Sequence, residues 1–165
     1  GLYISEDSNF SYDAPDNWPA GTKIRMSYGL TVVGTDQDTL AEVPDRIIFD
    51  RMYFYGGPTS HVKRAVQMDG SNVAVVDSRI EGMKGIGQDT QAVGSWNGPG
   101  PMKIDNNYLE GAGENIIFGG AISAIPNLVP SDIQITRNHL YKPPSWKNVW
   151  LVKIRKLFEQ NNLTG

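Results

Sequence analysis

Cysteine is absent from the 165 residues, which excludes disulfides and cysteine-ligated metal sites. Histidine occurs only twice, and neither copy has a matched nucleophile of the kind that a Ser-His-Asp triad requires. The chain has no apolar run of about 18 residues, so we predict no membrane span. Its formal net charge of −3 argues against a nucleic-acid partner, because surfaces that bind nucleic acids are normally basic. Phosphate-binding loops and the HExxH motif are also missing.

A ten-residue pattern occurs four times in the chain. The copies begin at residues 47, 73, 102 and 133, so their starts are 26, 29 and 31 residues apart. A repeat of this length with variable insertions is the signature of a solenoid. The 18 glycines and 10 prolines fit a turn-rich β protein. At roughly 28 residues per coil, one domain of this length would hold about six coils.

Four columns of the aligned repeat predict which solenoid forms. Three are apolar, and the first two lie two residues apart, the period of a β-strand. The apolar columns are Ile47, Val73, Met102, Ile133; Phe49, Val75, Ile104, Ile135; and Phe54, Ile80, Leu109, Leu140. The fourth column is Met52, Ser78, Asn107, Asn138. Asparagine tolerates a left-handed bend between two strands, and asparagines stacked about 4.8 Å apart can hydrogen-bond as a ladder. We therefore predict an all-β, right-handed parallel β-helix.

Four stretches of the chain carry a family resemblance. They are Pro-Asp-Arg-Ile-Ile-Phe-Asp-Arg (44–51), Trp-Asn-Gly-Pro-Gly-Pro (96–101), Asn-Asn-Tyr-Leu-Glu-Gly-Ala-Gly-Glu-Asn (106–115) and Ile-Pro-Asn-Leu-Val-Pro-Ser-Asp-Ile (125–133). Around them, residues 43–150 resemble a bacterial family of pectate-lyase-like right-handed β-helix proteins. The resemblance implies the fold and a secreted or periplasmic location, but no single activity. The wider superfamily holds polysaccharide lyases, glycoside hydrolases, epimerases and non-catalytic adhesins.

The repeats divide the single domain into three parts. Residues 1–22 are predicted to form an irregular cap or leading coil, 23–147 the coils, and 148–165 a last partial coil or cap. Both ends look cut from a longer chain. A β-helix cut through a coil exposes unpaired strand edges, so we expect either caps or end-to-end self-association.

A third strand of each coil is predicted at 64–70, 91–98 and 115–121, with a later counterpart near 148–152 or 156–160. The C-terminal end allows two interpretations. Its apolar residues fall at helical spacing, whereas the family resemblance places strands there. We favour a strand.

The first candidate surface lies just before these third strands. Arg64, Asp89 and Glu114 all fall within two residues of a strand start, so adjacent coils would bring one cation and two carboxylates together. Two carboxylates that share a site can divide acid and base work, or they can bind Ca²⁺. The structural alternative is that Arg64 merely neutralises Asp89 on a solvated loop.

The second candidate surface follows the asparagine column. Its positions stack as Tyr53, Arg79, Tyr108, His139 and as Tyr55, Glu81, Glu110, Tyr141. Aromatic rings interleaved with charged groups suit sugar binding, although aromatic residues also have high strand propensity. Trp96 is a third candidate, either as a platform for a sugar or as a cap on the core.

These surfaces leave three functional hypotheses open. The first is a carbohydrate-active enzyme, a polysaccharide lyase or glycoside hydrolase acting on an acidic glycan, with Arg64, Asp89 and Glu114 as working groups. The second is a non-catalytic glycan-binding or adhesive module. The third is a purely structural module. The Asn-Thr-Asp, Asp-Asp, Gly-His-Gly and Arg-Ile-Lys segments of the related hydrolases are absent, whereas the resemblance to pectate lyases implies a basic residue beside an acidic Ca²⁺ site.

Overall fold

The computed structural model describes residues 29–58, 60–149 and 152–161, together with the backbone of three N-terminal strands. The strands are β1 (Tyr3–Ser5), β2 (Ser11–Asp13), β3 (Lys23–Ser27), β4 (Thr31–Val33), β5 (Asp45–Asp50), β6 (Tyr53–Tyr55), β7 (His61–Val62), β8 (Arg64–Met68), β9 (Ser71–Val76), β10 (Arg79–Met83), β11 (Gln91–Ser95), β12 (Met102–Asp105), β13 (Tyr108–Gly111), β14 (Glu114–Phe118), β15 (Ile133–Thr136), β16 (His139–Tyr141) and β17 (Phe158–Gln160). Two short 3-10 helices span Leu40–Glu42 and Pro144–Asn148. Over these ranges no helix has the length and apolarity needed to cross a membrane.

Three parallel sheets wind the chain into a β-solenoid. Sheet 1 contains β5, β9, β12 and β15; sheet 2 contains β1, β6, β10, β13 and β16; sheet 3 contains β4, β8, β11, β14 and β17. The chain passes from sheet 1 to sheet 2 to sheet 3 in each turn, and it completes about three turns. The prediction of six coils was wrong. Dividing the length by the repeat ignores the long excursions between strands, such as residues 119–132 and 142–157.

The three apolar columns stack in register, as predicted. Val75 pairs with Ile104, and Ile104 pairs with Ile135 on the next strand of sheet 1. Val75 and Ile104 have no exposed surface, whereas Ile135 in the last turn is half-buried. Phe54 and Leu109 occupy the corresponding interior column of sheet 2 and are also fully buried. The core is therefore a stack of short apolar rows that are fully buried in the middle turns and half-buried in the last one.

The polar ladder between sheets 1 and 2 also forms. The backbone N–H of Ser78 donates to Oδ1 of Asn107 at 2.8 Å, and Nδ2 of Asn107 donates to Oδ1 of Asn138 at 2.9 Å. The left-handed backbone lies one residue earlier than expected, at positions that precede the ladder column. These residues, all with φ between 50° and 55°, are Arg51, Asp77, Asn106 and Arg137. The ladder column thus supplies hydrogen bonds, and the preceding residue makes the bend.

The ends of the solenoid differ in part from expectation. Phe158–Gln160 is a strand that pairs with β14, which confirms the strand interpretation of the C-terminal end. Thr31–Val33 pairs with β8 in sheet 3 and so lies within the predicted coil region 23–147. Of the predicted cap at residues 1–22, only the short strands β1 and β2 are described, and β2 pairs antiparallel with β3.

Candidate functional site

The starts of the sheet 3 strands bring two of the three predicted catalytic residues into one row. Arg64 on β8 pairs with Gln91 on β11, and Gln91 pairs with Glu114 on β14. Asp89 lies two residues before Gln91, in the loop that leads into β11. Alignment of the repeats within the chain predicts Asp89 in the middle of this row. Loop lengths differ between turns, and the true register puts Gln91 there.

Hydrogen bonds connect this row across three successive turns. Nη2 of Arg64 donates to Oε1 of Gln91 at 2.7 Å. Nε2 of Gln91 then donates to Oε2 of Glu114 at 3.0 Å. All three side chains are buried, with Glu114 only 1% exposed. The amide of Gln91 therefore fixes both charged groups, since each of its two ends contacts one of them.

Arg155 supplies a positive charge that the sequence analysis did not assign to the site. Its Nη1 lies 2.5 Å from Oδ2 of Asp89 and 3.8 Å from Oε1 of Glu114. The backbone N–H of Arg155 donates to the carbonyl of Ala112, which holds the segment before β17 against the preceding turn. Asp89 and Glu114 both lie close to this guanidinium group, and its positive charge offsets the repulsion between the two carboxylates.

The predicted calcium site does not fit this arrangement. Ca²⁺ takes six to eight oxygen ligands, whereas Asp89 and Glu114 share a guanidinium group. Within the described ranges, no group of three or more His, Cys, Asp or Glu side chains could hold a metal ion.

Trp96 lies directly beside the row. The guanidinium carbon of Arg64 is 4.6 Å from the centroid of the Trp96 ring, a cation–π contact. Gly94 gives Ile117 room, because a Cβ at this position would lie only 2.9 Å from the Ile117 side chain, whereas its 3.5 Å distance to Nε of Arg64 would be an ordinary contact. A cleft of about 280 Å³ opens here, lined by Lys63, Arg64, Asp89, Gln91, Trp96, Ile117 and residues 119–121.

Asp69, which the sequence analysis missed, fixes the loop that carries Trp96. Its Oδ1 accepts hydrogen bonds from Oγ of Ser95 and from the backbone N–H groups of Trp96 and Asn97, at 2.8, 2.8 and 2.9 Å. Asp69 is 1% exposed, and this burial raises the pKa of its carboxyl group. The signal available in the sequence was weak, since an aspartate before a glycine usually marks an ordinary turn.

Three polar atoms in this region lack a hydrogen-bond partner among the described residues. They are Nε of Arg64, Oδ1 of Asp89 and Oε1 of Glu114. Burial lowers the pKa of Arg64 to about 10. Burial also raises the pKa of Glu114, and the negative charge of Asp89 adds to this shift. Buried polar atoms are normally satisfied by protein groups or ordered water, so these atoms beside a cleft mark a place where water or a ligand can bind.

The aromatic face of sheet 2 forms in the predicted register. Tyr53, Arg79, Tyr108 and His139 pair in sequence along one column. The guanidinium of Arg79 lies 4.2 Å from the Tyr108 centroid, and the Tyr108 and His139 rings lie 5.1 Å apart. The second column is interrupted, because β10 carries one extra residue between Ile80 and Met83 relative to β13.

The polar groups of this face bond mainly to one another. The hydroxyl of Tyr53 donates to Glu81 at 2.5 Å, and the hydroxyl of Tyr108 donates to Glu110 at 2.9 Å. The hydrogen bond to Glu81 raises the pKa of Tyr53 to about 12. Such mutual pairing stabilises a pleated surface. It leaves less unsatisfied hydrogen-bonding capacity here than beside Trp96.

No family model matches this chain, and no curated protein or solved structure matches it either. The resemblance to pectate-lyase-like proteins therefore stays a prediction from the sequence.

Proposed function

We propose that this chain is a carbohydrate-binding β-solenoid that holds an acidic glycan in the cleft beside Trp96. The observation that carries the proposal is the buried Arg64, which lines the cleft and has an unpartnered Nε. A sugar carboxylate accepts charge-assisted hydrogen bonds from a guanidinium group, and these are stronger than bonds between neutral groups. Trp96 supplies apolar surface for the C–H groups of the sugar ring.

The charges around the cleft favour an acidic ligand. Lys63 and Arg64 line it, and Arg155 pairs with Asp89 at the same place. Burial raises the pKa of Glu114, so this carboxyl group holds its proton to higher pH than an exposed glutamate. The charged residues that line the cleft, Lys63, Arg64 and Asp89, have a net charge of +1, which suits a uronic acid better than a neutral sugar.

Isothermal titration calorimetry with an oligogalacturonate and with the neutral galactose oligosaccharide tests this proposal. We expect the acidic ligand to bind and the neutral one to bind at least tenfold more weakly. Lys63→Gln, at the half-buried rim, should weaken binding of the acidic ligand about fivefold. The matched control is Arg79→Gln, which removes a cation from the aromatic face and should leave binding unchanged. Equal binding of both ligands, or loss only in the control, would contradict the proposal.

A second candidate function is β-elimination on the same acidic glycan. The lowered pKa of Arg64 favours it, because a general base must give up its own proton first. Arg64 would remove the proton from the carbon that bears the carboxylate. The electron pair forms a carbon–carbon double bond, the bond to the leaving sugar oxygen breaks, and Glu114, which burial helps to keep protonated, gives its proton to that oxygen. Ultraviolet absorbance of the unsaturated uronate measures the reaction, and Glu114→Gln should abolish it with little change in melting temperature.

Hydrolysis by paired carboxylates is the other form of the enzymatic hypothesis. Asp89 and Glu114 would divide acid and base roles, since their environments differ: Glu114 is buried and Asp89 is partly exposed. New reducing ends without new ultraviolet absorbance would identify hydrolysis. Absence of both products, with binding retained, leaves the non-catalytic glycan-binding module.

We also propose that the solenoid is right-handed and that the protein is secreted or periplasmic. Right-handed winding is supported by the strong preference of parallel crossover connections for that hand. A secreted or periplasmic location follows from the resemblance and would place the chain where polysaccharides occur. Export would be checked by cell fractionation. A high-resolution crystal structure would check the hand.

End-to-end self-association has its own support at the open C-terminal end. A cleft of about 440 Å³ there is lined by Phe118, Ile133, Ile135 and Phe158, and Phe158 is 43% exposed. A second copy of the solenoid could cover this apolar surface and pair with the strand edge. Light scattering should show oligomers that Phe158→Ser dissociates. A monomer at all concentrations would contradict this.

A further inference from the structure

We infer that a second sugar-binding pocket lies next to the first, with Trp96 between them, so that the ligand is a glycan chain in which an acidic sugar adjoins a neutral one. This inference rests on the proposed function and specifies its ligand. The second pocket measures about 160 Å³ and includes Gly34, Gln37, Asp69, Trp96 and Ile122 in its lining. Trp96 is the side chain that lines both spaces.

Gln37 offers the second pocket an unused hydrogen-bond acceptor. The side chain is only 4% exposed. Its Nε2 donates to the carbonyl of Asp69 at 2.6 Å and to the carbonyl of Asn97 at 3.3 Å. Its Oε1 is buried without a partner among the described residues. A hydroxyl group of a ligand in the pocket could donate to this acceptor, which ordered water would otherwise satisfy.

Ile122 offers the same pocket an apolar contact. It is 93% exposed although it is a large apolar residue, and it lies at the pocket rim. A pyranose ring has an apolar face of C–H groups that can cover such a side chain while its hydroxyls reach polar neighbours. Gln37 and Ile122 together therefore present the two kinds of contact that a sugar requires.

The pocket is held in place before any ligand binds. Nδ2 of Asn97 donates to the carbonyl of Gln37 at 2.9 Å, and Oδ1 of Asn97 accepts from the backbone N–H of Ala124 at 3.0 Å. Nε2 of Gln67 donates to the carbonyl of Gly34 at 3.2 Å. One buried asparagine thus ties together the two loops that form the pocket walls. Because these loops are already held in place, ligand binding costs little conformational entropy, which favours binding.

Charge distinguishes the two pockets. Lys63 and Arg64 line the first, whereas the charged residues that line the second are Asp36 and Asp69. A carboxylate in the second pocket would face these acids without a cation among the lining residues. Hydroxyl groups, in contrast, can donate to them. The order across Trp96 is therefore an acidic sugar beside Arg64 and a neutral sugar beside Gln37.

Calorimetric titration with four probes tests the inference on the full chain. The probes are galacturonic acid, its two disaccharides with galactose in either order, and digalacturonic acid. We expect one mixed disaccharide to bind at least tenfold more tightly than the monosaccharide, and digalacturonic acid to show no such gain. Ile122→Ser, an exposed position where folding is not at risk, should remove most of that gain and leave the affinity for galacturonic acid unchanged.

The outcomes distinguish failure of the second pocket from failure of the proposed function. Binding of galacturonic acid with no gain for either mixed disaccharide overturns the second pocket and leaves the proposed function standing. A gain that Ile122→Ser does not reduce also overturns it. A larger gain for digalacturonic acid overturns the assignment of a neutral sugar. If none of the four probes binds, the proposed function fails, and the inference fails with it.

Discussion

Nη2 of Arg64 and Oε1 of Gln91 form a 2.7 Å hydrogen bond between neighbouring strands of sheet 3. This contact orients the guanidinium group that lies against Trp96. The other end of Gln91 donates to Glu114, so one neutral side chain positions both charged groups. An amide can do this because it carries a donor and an acceptor at opposite ends.

The first prediction concerns Gln91 itself. Gln91→Met keeps the volume but leaves Nη2 of Arg64 and Oε2 of Glu114 without their hydrogen-bond partner in a buried row. Each unpaired buried group costs about 1–3 kcal/mol, so the free energy of unfolding should fall by about 2–4 kcal/mol. Urea denaturation measures the change. Gln134→Met, at the exposed position of β15, is the control and should have almost no effect. Equal stability of both variants would show that the row contributes nothing.

The second prediction is a pH dependence set by Glu114. Burial raises its pKa in the folded protein above the ordinary value of 4.5. Between 4.5 and the raised pKa, the folded state holds a proton that the unfolded state has released. The contribution of Glu114 to stability is therefore complete below 4.5 and is lost as the pH rises through the raised pKa. Urea midpoints should decrease across this window in the parent and remain flatter in Glu114→Gln. Parallel curves would contradict it.

The third prediction concerns Arg155. Its positive charge lowers the pKa of Glu114, although burial and Asp89 act more strongly in the opposite direction. Arg155→Gln should raise that pKa further, as followed by carbon-13 NMR of the Glu114 carboxyl group. The stability change should stay within about 1 kcal/mol, because Arg155 is half-exposed. Lys153→Gln removes an exposed cation nearby and should leave the titration of Glu114 unchanged.

The fourth prediction tests the polar ladder. Asn107 accepts from the N–H of Ser78, and its Nδ2 donates to the carbonyl of Val75 and to Asn138. Asn107→Ala leaves these buried groups unpaired and should cost about 2–5 kcal/mol in urea unfolding. Asn138→Ala, at the half-buried end of the ladder, should cost less than half as much because water can replace its contacts. A larger loss at Asn138 would mean that the ladder is not the stabilising element.

Much of the solenoid was predictable because the repeat keeps apolar residues at the positions that face the core. Val75, Ile104 and Ile135 follow the two-residue period, and a slip by one residue would turn each of them outward. The proximity of Arg64 and Glu114 followed from the same stacking. Gln91 was misplaced because the loop before β11 differs in length from its neighbours, so only the strand register could identify the middle residue of the row.

Other features depend on contacts that no repeat encodes. Arg155 reaches Asp89 after an excursion of the chain that has no counterpart in the earlier turns. The role of Asp69 depends on the three groups that donate hydrogen bonds to its carboxylate, and all three lie 26–28 residues away along the chain. The left-handed bends at Arg51 and Arg137 carry no signal in residue type, because arginine has no special preference for that conformation.

A crystal structure of the chain soaked with an oligogalacturonate tests the central claim most directly. The account predicts density for a sugar ring against Trp96, with its carboxylate within hydrogen-bond distance of Arg64 Nε or Lys63 Nζ. Density for the sugar on the aromatic face beside Tyr108, with the cleft at Trp96 filled only by water, would contradict it.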